Sequence, residues 1–583
     1  MMAVALAGCS PRVAPPDGRP DVIVVLTDDQ RVDTLHAMPL TDARLGEPGV
    51  RFTRAYVTTP MCCPIRASML SGGWGASTLG VTANEGPNGG ATRFLDADTV
   101  ATRFQQAGYA TALVGKYLNE YDHLAPYVPP GWDVFVALSD MVTWTDWEVT
   151  RQTGRPERGT QYLTDFERDE ALGFLDAHVR QPVFLYVAVP APHNPATPAV
   201  GDEELFADEV AHGEAWDEAD VSDKSRWVRN EAPLDDVERA SLDDIARAQL
   251  RSLQAVDRLV EAVAARQEER GRLEETVFVF ASDNGFLLGE HRLRGKAAPY
   301  EEAVRVPLIV RAPGLSPRTE DGLVAANLDL GETLSALAGL PGLGEGRDLL
   351  GDPAREQLPI EHYSRDAASW AGVVTPEWKW VEQTTGEVEI YDLLADPAEL
   401  ESLHDDPPAE ATALAEAARA ARGLVIRTET LPPMVAGTPW SVALEAWGGT
   451  EPYTWSLHGG TTLPACLTLT STGLLSGLCA AAEEVRVEIA VTDSSSGAAT
   501  GEPQRFVRPF TPLFTGEARA HGRRLDITVH GPWRVEIDAD GSFDDFPHVV
   551  ARGSGPASVE LPERVAWRVR VEGTTVGRGR VGR

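Results

Sequence analysis

The residues best placed to do chemistry fall into three groups. The first is Thr59-Pro60-Met61-Cys62-Cys63-Pro64-Ile65-Arg66-Ala67-Ser68-Met69-Leu70-Ser71-Gly72. A free thiol there would need a local base to act as a nucleophile. The second is a pair of acidic turns, Leu26-Thr27-Asp28-Asp29-Gln30 and Ala281-Ser282-Asp283-Asn284-Gly285. Adjacent carboxylates repel one another unless a cation or partner offsets the charge. Three Asp and one Asn offer only hard oxygen donors, which suits Ca²⁺ or Mg²⁺ and not zinc. The third group supplies positive or titratable charge: Lys116 in Val114-Gly115-Lys116, His193 in Ala191-Pro192-His193-Asn194-Pro195, then His291 and Lys296.

Each acidic turn follows a short apolar run, and so do Lys116 and His193. Asp21–Leu26, Ala110–Val114, Val183–Val189, Val277–Ala281 and Pro307–Val310 are nearly continuous in apolar, β-branched character, as strands buried on both faces should be. A long amphipathic helix is expected from about Leu234 to Gln267, where Ile245, Leu250, Leu253, Val256, Val260 and Val263 recur at helical spacing. This alternation predicts an α/β domain with a central sheet over residues 21–420. In such sheets ligands bind beyond the carboxyl ends of the strands, which is where these residues lie.

Cys62-x-Pro64-x-Arg66 followed by Leu70-Ser71-Gly72 resembles the sulfatase signature, a branch of the alkaline-phosphatase-like enzymes. The resemblance implies that Cys62 is oxidised to formylglycine, held as its hydrate, by a dedicated formylglycine-generating maturation enzyme. Ile65 and Ser71 depart from the Ser and Thr common there. It further implies that Asp28, Asp29, Asp283 and Asn284, with residue 62, hold one divalent cation, Ca²⁺ ahead of Mg²⁺. Lys116 and Lys296 would bind the sulfate, His193 would protonate the leaving alcohol and Arg66 would orient the hydrate. The substrate would be a sulfated small molecule or glycan.

The string Gly115-Lys116-Tyr117-Leu118-Asn119-Glu120-Tyr121 resembles the branch of N-acetylglucosamine-6-sulfatases and heparan sulfate 6-O-endosulfatases. Pro130-Gly131-Trp132 and Tyr162-Leu163-Thr164-Asp165 add to that likeness. A second His found in many sulfatases after the first Lys is replaced here by Leu118 and Asn119. Asn119 and His291 are further candidates for substrate contact, His291 alternatively a residue that orients a neighbour. Trp144 and Trp147 read either as a sugar-stacking wall or as core. Trp378-Lys379-Trp380 and Glu389-Ile390-Tyr391-Asp392-Leu393 resemble the closing segment of sulfatases, so the likeness runs over about residues 20–405.

Beyond residue 426 the composition turns to Pro, Gly and short alternating strands, an all-β signature. Residues 426–508 resemble the immunoglobulin-like modules of bacterial surface proteins, and 510–583 read as a small β-rich domain of no assigned role. Cys466 and Cys479 both fall in the first of these. They read either as a disulfide or as two buried thiols.

Leu6-Ala7-Gly8-Cys9-Ser10 resembles a lipobox, so that residues 1–20 would be a signal and tether and Cys9 the lipidated residue. The stretch before it lacks the basic and long apolar segments of a complete signal. The implied location is the bacterial cell envelope or the exterior, with membrane contact only through that anchor. The chain has 583 residues, 52 Lys and Arg against 88 Asp and Glu, and a formal net charge of −36, which argues against nucleic acid as a partner. Two competing functions share these residues. One is a phosphodiesterase or phosphonate monoester hydrolase of the same superfamily, and the other an inactive surface-binding lipoprotein.

Overall fold

The computed structural model describes residues 18–428 except 87, 140–142, 211, 364–368 and 422, then 431, 439–458, 462–478, 487–494 and strand residues between 505 and 580. The lipobox and Cys9 lie outside the described residues. The chain divides into two units, with the main boundary in sequence between Gly423 and Leu424.

The first unit is built on a ten-stranded mixed sheet. Its middle is a run of five parallel strands in the spatial order Thr276–Ser282, Asp21–Thr27, Val183–Ala188, Ala110–Gly115 and Val134–Leu138. The first four are buried at every residue. Leu308–Arg311 and Trp147–Arg151 flank this run in the antiparallel sense. Helices cover both faces, as parallel strands require. Cys62–Ser71 and Ala326–Leu337 contribute to one core with Phe104, Phe135 and Phe184. The 34-residue helix Asp236–Glu269 and the helix Leu163–Ala177 contribute to the other. Asp235 caps the long helix by accepting from the backbone N–H groups of Val237 and Glu238, each at 2.9 Å.

Trp144 and Trp147 belong to this second core and are each 4% exposed. Trp144 stacks on Tyr162 and donates from Nε1 to Pro195 O, while Trp147 stacks on Phe166 and donates to Gln161 O. The sugar-wall reading of these two residues is therefore corrected to core packing.

A four-stranded antiparallel sheet, Leu358–His362, Trp370–Val374, Trp378–Gln383 and Val388–Asp392, closes the first unit. The second unit is antiparallel β-structure. It contains a three-stranded sheet of Trp440–Ala443, Leu474–Gly477 and Leu467–Leu469, and another of Thr454–Leu457, Val487–Thr492 and Arg505–Phe510. Cys466 is disulfide-bonded, and Cys479 lies outside the described residues. The strands described between residues 518 and 580 form a three-stranded and a four-stranded antiparallel sheet. Among the described residues no helix is long and apolar enough to cross a membrane.

Candidate active site

Strand register brings the site together. Thr27 is level with Ser282, Leu26 with Ala188, and Gly115 with Ala188. The residues that follow these positions therefore leave the sheet at one edge and one height. Those residues are Asp28 and Asp29, Asp283 and Asn284, Lys116, and the loop to His193. Backbone hydrogen bonds lock the departures: Asp28 N donates to Ala191 O at 3.2 Å, Asp283 N to Thr27 O at 3.1 Å and Lys116 N to Ala188 O at 2.8 Å.

The helix Cys62–Ser71 enters from the side, with Cys62 as its first residue. Pro64 falls in its first turn, where a missing N–H costs nothing. Asn84 Oδ1 accepts from Cys63 N at 2.9 Å. Arg66 stands one turn beyond Cys62 and therefore on the same face. It is 1% exposed and donates from Nε to Asp283 Oδ2 at 2.8 Å and from Nη1 to Lys116 O at 2.9 Å.

Asp28, Asp29 and Cys62 bring one donor atom each within 4.8 Å of one another. Cys62 Sγ lies 3.5 Å from Asp28 Oδ1 and 2.7 Å from Lys296 Nζ. Lys116 pairs with Asp28 Oδ2 and Lys296 with Asp29 Oδ1. Asp29 holds a left-handed backbone with φ 67°. Its N–H donates to Asp283 Oδ1 at 3.2 Å, and its Oδ1 accepts from Asn284 Nδ2 at 2.6 Å. Such a conformation persists where surrounding contacts over-determine it. His193 Nδ1 bonds to Asn194 O at 2.7 Å; since a carbonyl only accepts, Nδ1 carries a proton. That leaves Nε2, 3.7 Å from Asp29 Oδ2, turned to the site.

The electrostatics follow from this crowding. Burial opposes ionisation of Asp28, but Lys116, His193, Arg66 and Lys296 together hold its carboxyl well below the usual range. Asp283 moves the other way, raised by burial and by the charge of Asp28. Burial would discharge Lys116 and Lys296, yet Asp28 and Asp29 keep both ammonium groups charged. The Cys62 thiol is pushed up to about 11 by burial and by Asp28, so an unmodified thiol here is a poor nucleophile at neutral pH.

The donor set fits a hard dication. Asp28, Asp29, Asp283 and Asn284 are each at most 2% exposed. Asn284 Oδ1 is a buried acceptor without a protein partner, as a metal-facing oxygen would be.

Asn119 lines a cavity of about 600 Å³ with Lys116 and His193, and its Oδ1 is buried without a partner. His291 stands apart. It is fully buried, bonds through Nδ1 to Glu218 Oε2 at 2.7 Å, stacks on Tyr300 and clusters with Glu302 and Glu399. The structure therefore gives it the orienting and packing role, not contact with substrate. Sequence reading missed Glu167, a fully buried carboxyl whose two oxygens lack partners and which burial raises well above its usual range. It lies beside Gly115, on a helix whose pattern shows only amphipathicity. Asn84 was missed as well, because a loop Asn carries no periodic signal.

Carboxylates, lysines and a helix-borne cysteine thus gather beyond the carboxyl edge of an α/β sheet, the place where such sheets bind ligands. The chain belongs to the sulfatase family: residues 20–340 match the sulfatase model, and residues 289–419 match that for the N-sulphoglucosamine sulphohydrolase C-terminal region. The Sulf-1 homologs of Caenorhabditis elegans and Drosophila melanogaster are each 34% identical over 338 residues, which is 56% and 55% of this chain and 47% and 30% of theirs. The chain thus spans less than half the length of these two relatives. Human N-acetylglucosamine-6-sulfatase is 32% identical over 360 residues, 58% of this chain and 65% of that one.

Two solved structures share the fold at 22% identity. One holds its substrate D-glucosamine-2-N,6-O-disulfate (TM-score 0.56, 68% of this chain and 96% of that one). The other is the phosphonate monoester hydrolase of Agrobacterium radiobacter (TM-score 0.55, 68% and 94%).

Proposed function

We propose that this chain is a sulfuric ester hydrolase that removes sulfate from a sulfated carbohydrate, using residue 62 as a formylglycine hydrate. The observation that carries the reading is the convergence of Cys62 with four hard oxygen-donor side chains and two charged lysines. A carboxylate pocket that also holds two ammonium groups suits a dication on one side and an anionic sulfate on the other.

Asp28, Asp29, Asp283 and Asn284 would hold the cation, which supplies Lewis-acid charge beside the nucleophile and the sulfate oxygens. The hydrated residue 62 presents a hydroxyl at the start of its helix, where Arg66 fixes the neighbouring carboxylates. Attack of that hydroxyl on sulfur breaks the S–O bond to the leaving alcohol. Lys116 and Lys296 stabilise the sulfuryl oxygens, and His193, protonated on both nitrogens, gives its Nε2 proton to the departing oxygen. The second hydroxyl of the diol then expels sulfate and restores the aldehyde. An unmodified Cys or Ser has no second hydroxyl and would stay esterified.

The test is to co-express the protein with a formylglycine-generating enzyme and weigh the tryptic peptide Ala55–Arg66. The aldehyde gives a fixed mass loss, and turnover of an aryl sulfate should exceed that of a phosphodiester. An intact thiol after such maturation would remove the reading. The lipobox at Leu6–Ser10 supports a lipid anchor at Cys9 and a place in the bacterial envelope. The Pro- and Gly-rich wording of residues 426–508 supports an immunoglobulin-like module.

A further inference from the structure

Of the two lysines assigned to the sulfate, Lys116 directly follows a strand of the central sheet and Lys296 does not. Lys296 leaves a small hairpin in which Leu287 and Leu288 pair with Gly295 and Arg294. So short a hairpin fixes little by itself. A lysine is also a point charge on a flexible stem, so its ammonium is only as well placed as its backbone. Yet Lys296 Nζ pairs with Asp29 Oδ1 and lies 2.7 Å from Cys62 Sγ.

The backbone is strained on both sides of this lysine. His291, Arg292 and Ala297 are non-glycine residues in the left-handed region, at φ 51°, 64° and 74°. Such conformations persist where surrounding contacts over-determine them, and they cluster at ligand clamps. On the hairpin side the contacts come from residues 215–219. His291 N donates to Ala215 O at 2.8 Å, and Arg292 donates from Nε to Glu218 O at 2.9 Å and from Nη2 to Ala219 O at 2.8 Å.

On the far side the anchors fall on Ala297, the residue next to Lys296. Ala297 N donates to Pro60 O at 3.3 Å, two residues ahead of Cys62. Trp370 Nε1, from the closing antiparallel sheet, donates to Ala297 O at 2.8 Å, the shorter of the two bonds. Trp370 is fully buried in a core with Tyr56, Val304 and Leu323, so its N–H has a fixed aim.

We infer that Trp370 is a positioning residue for the reaction: its indole N–H fixes Ala297 and thereby sets Lys296 against the sulfate and residue 62. The inference rests on the sulfatase reading above and gives the closing sheet a part in sulfate binding.

The experiment uses the matured full chain, its aldehyde verified by mass, with 4-methylumbelliferyl sulfate as substrate. Trp370→Phe keeps an apolar ring and removes the donor. It should lower kcat/KM by about tenfold or more, because misplacing a group by about 1 Å can cost about a hundredfold. It should also weaken the binding of inorganic sulfate, read by calorimetric titration. A tryptophan that only packs the core would act alike whether or not Lys296 is present. In a Lys296→Ala background, Trp370→Phe should instead change kcat/KM and sulfate affinity by less than about twofold, while its effect on the melting temperature stays as in the wild type. If Trp370→Phe fails to fold, Trp370→3-benzothienylalanine runs the same cycle, since it keeps the fused ring and exchanges only the N–H for sulfur.

Wild-type kcat/KM and sulfate affinity in a folded variant overturn the inference. So does a loss that is as large in the Lys296→Ala background. If the aldehyde is present in the wild type and the aryl sulfate is untouched, it is the sulfatase reading that has failed, and the positioning role falls with it.

Discussion

Arg66 Nε donates to Asp283 Oδ2 at 2.8 Å, while its Nη2 lies 3.3 Å from Asp28 Oδ2. One guanidinium thus ties together the ends of two adjacent parallel strands, and through Nη1 it also reaches the carbonyl of Lys116, which follows a third. Arg, with its planar fork of five donors, can do this where Lys cannot.

Arg66→Ala should therefore do more than slow the chemistry. It leaves two fully buried carboxylates without their shared partner, a loss expected to cost about 3–5 kcal/mol. Arg66→Lys should recover part of that stability but little turnover. Calorimetric melting and initial rates check both. An Arg66→Ala protein that melts with the wild type would show that other cations suffice.

Metal binding and turnover should fail together when Asp283 is lost. In Asp283→Ala and Asn284→Ala the affinity for Ca²⁺ should fall by at least about tenfold, by analogy with the loss of weaker supporting contacts at metal sites. Calorimetric titration of chelator-treated protein measures this without relying on activity, and Ca²⁺ should bind the wild type more tightly than Mg²⁺. Undiminished binding in Asp283→Ala would take that residue out of the ligand set.

Gly115 is the residue on which the placement of Lys116 turns. Its φ is 105°, and an added Cβ would lie 2.2 Å from Ala188 O, the carbonyl that accepts from Lys116 N. Gly115→Ala should cost about 2 kcal/mol or more, because it meets both a strained conformation and a backbone atom that cannot move aside. It should also lower kcat/KM by shifting Lys116. A variant with wild-type melting and kinetics would mean that the strand end is softer than its contacts suggest.

The parts of the site visible in the sequence are those tied to buried parallel strands. Continuous apolar runs end in Asp28, Lys116, His193 and Asp283, and the sheet edge then follows from topology alone. The antiparallel strands Trp147–Arg151 and, at the sheet edge, Pro156–Gly159 were not foreseen, since short strands that mix in polar residues carry no such run. Trp144 and Trp147 could not be placed from type, because an aromatic ring suits core and sugar equally. His291 stayed open between substrate contact and an orienting role because its partner Glu218 lies 73 residues earlier in the chain, beyond the reach of any local pattern. Glu85 is remote in sequence from Glu120 and Asp122, so nothing local reveals that it shares a cavity wall with them.

Adjacent residues in the closing sheet should give opposed pH dependences. Burial pushes Glu361 up to about 6 and His362 down to about 4, from ordinary values of 4.5 and 6.5. Glu361 stabilises the fold when protonated, so its contribution is complete below pH 4.5 and lost as pH rises through about 6. His362 stabilises the fold when neutral, so its contribution is complete above pH 6.5 and lost as pH falls through about 4. In the wild type the two oppose each other over the window they share. Relative to wild type, Glu361→Gln should lose stability on acidification and His362→Gln on the rise toward pH 6, each by on the order of 2–3 kcal/mol. Thermal melting across that range reads the difference directly. Parallel curves for all three proteins would show that neither group titrates out of step with its unfolded form.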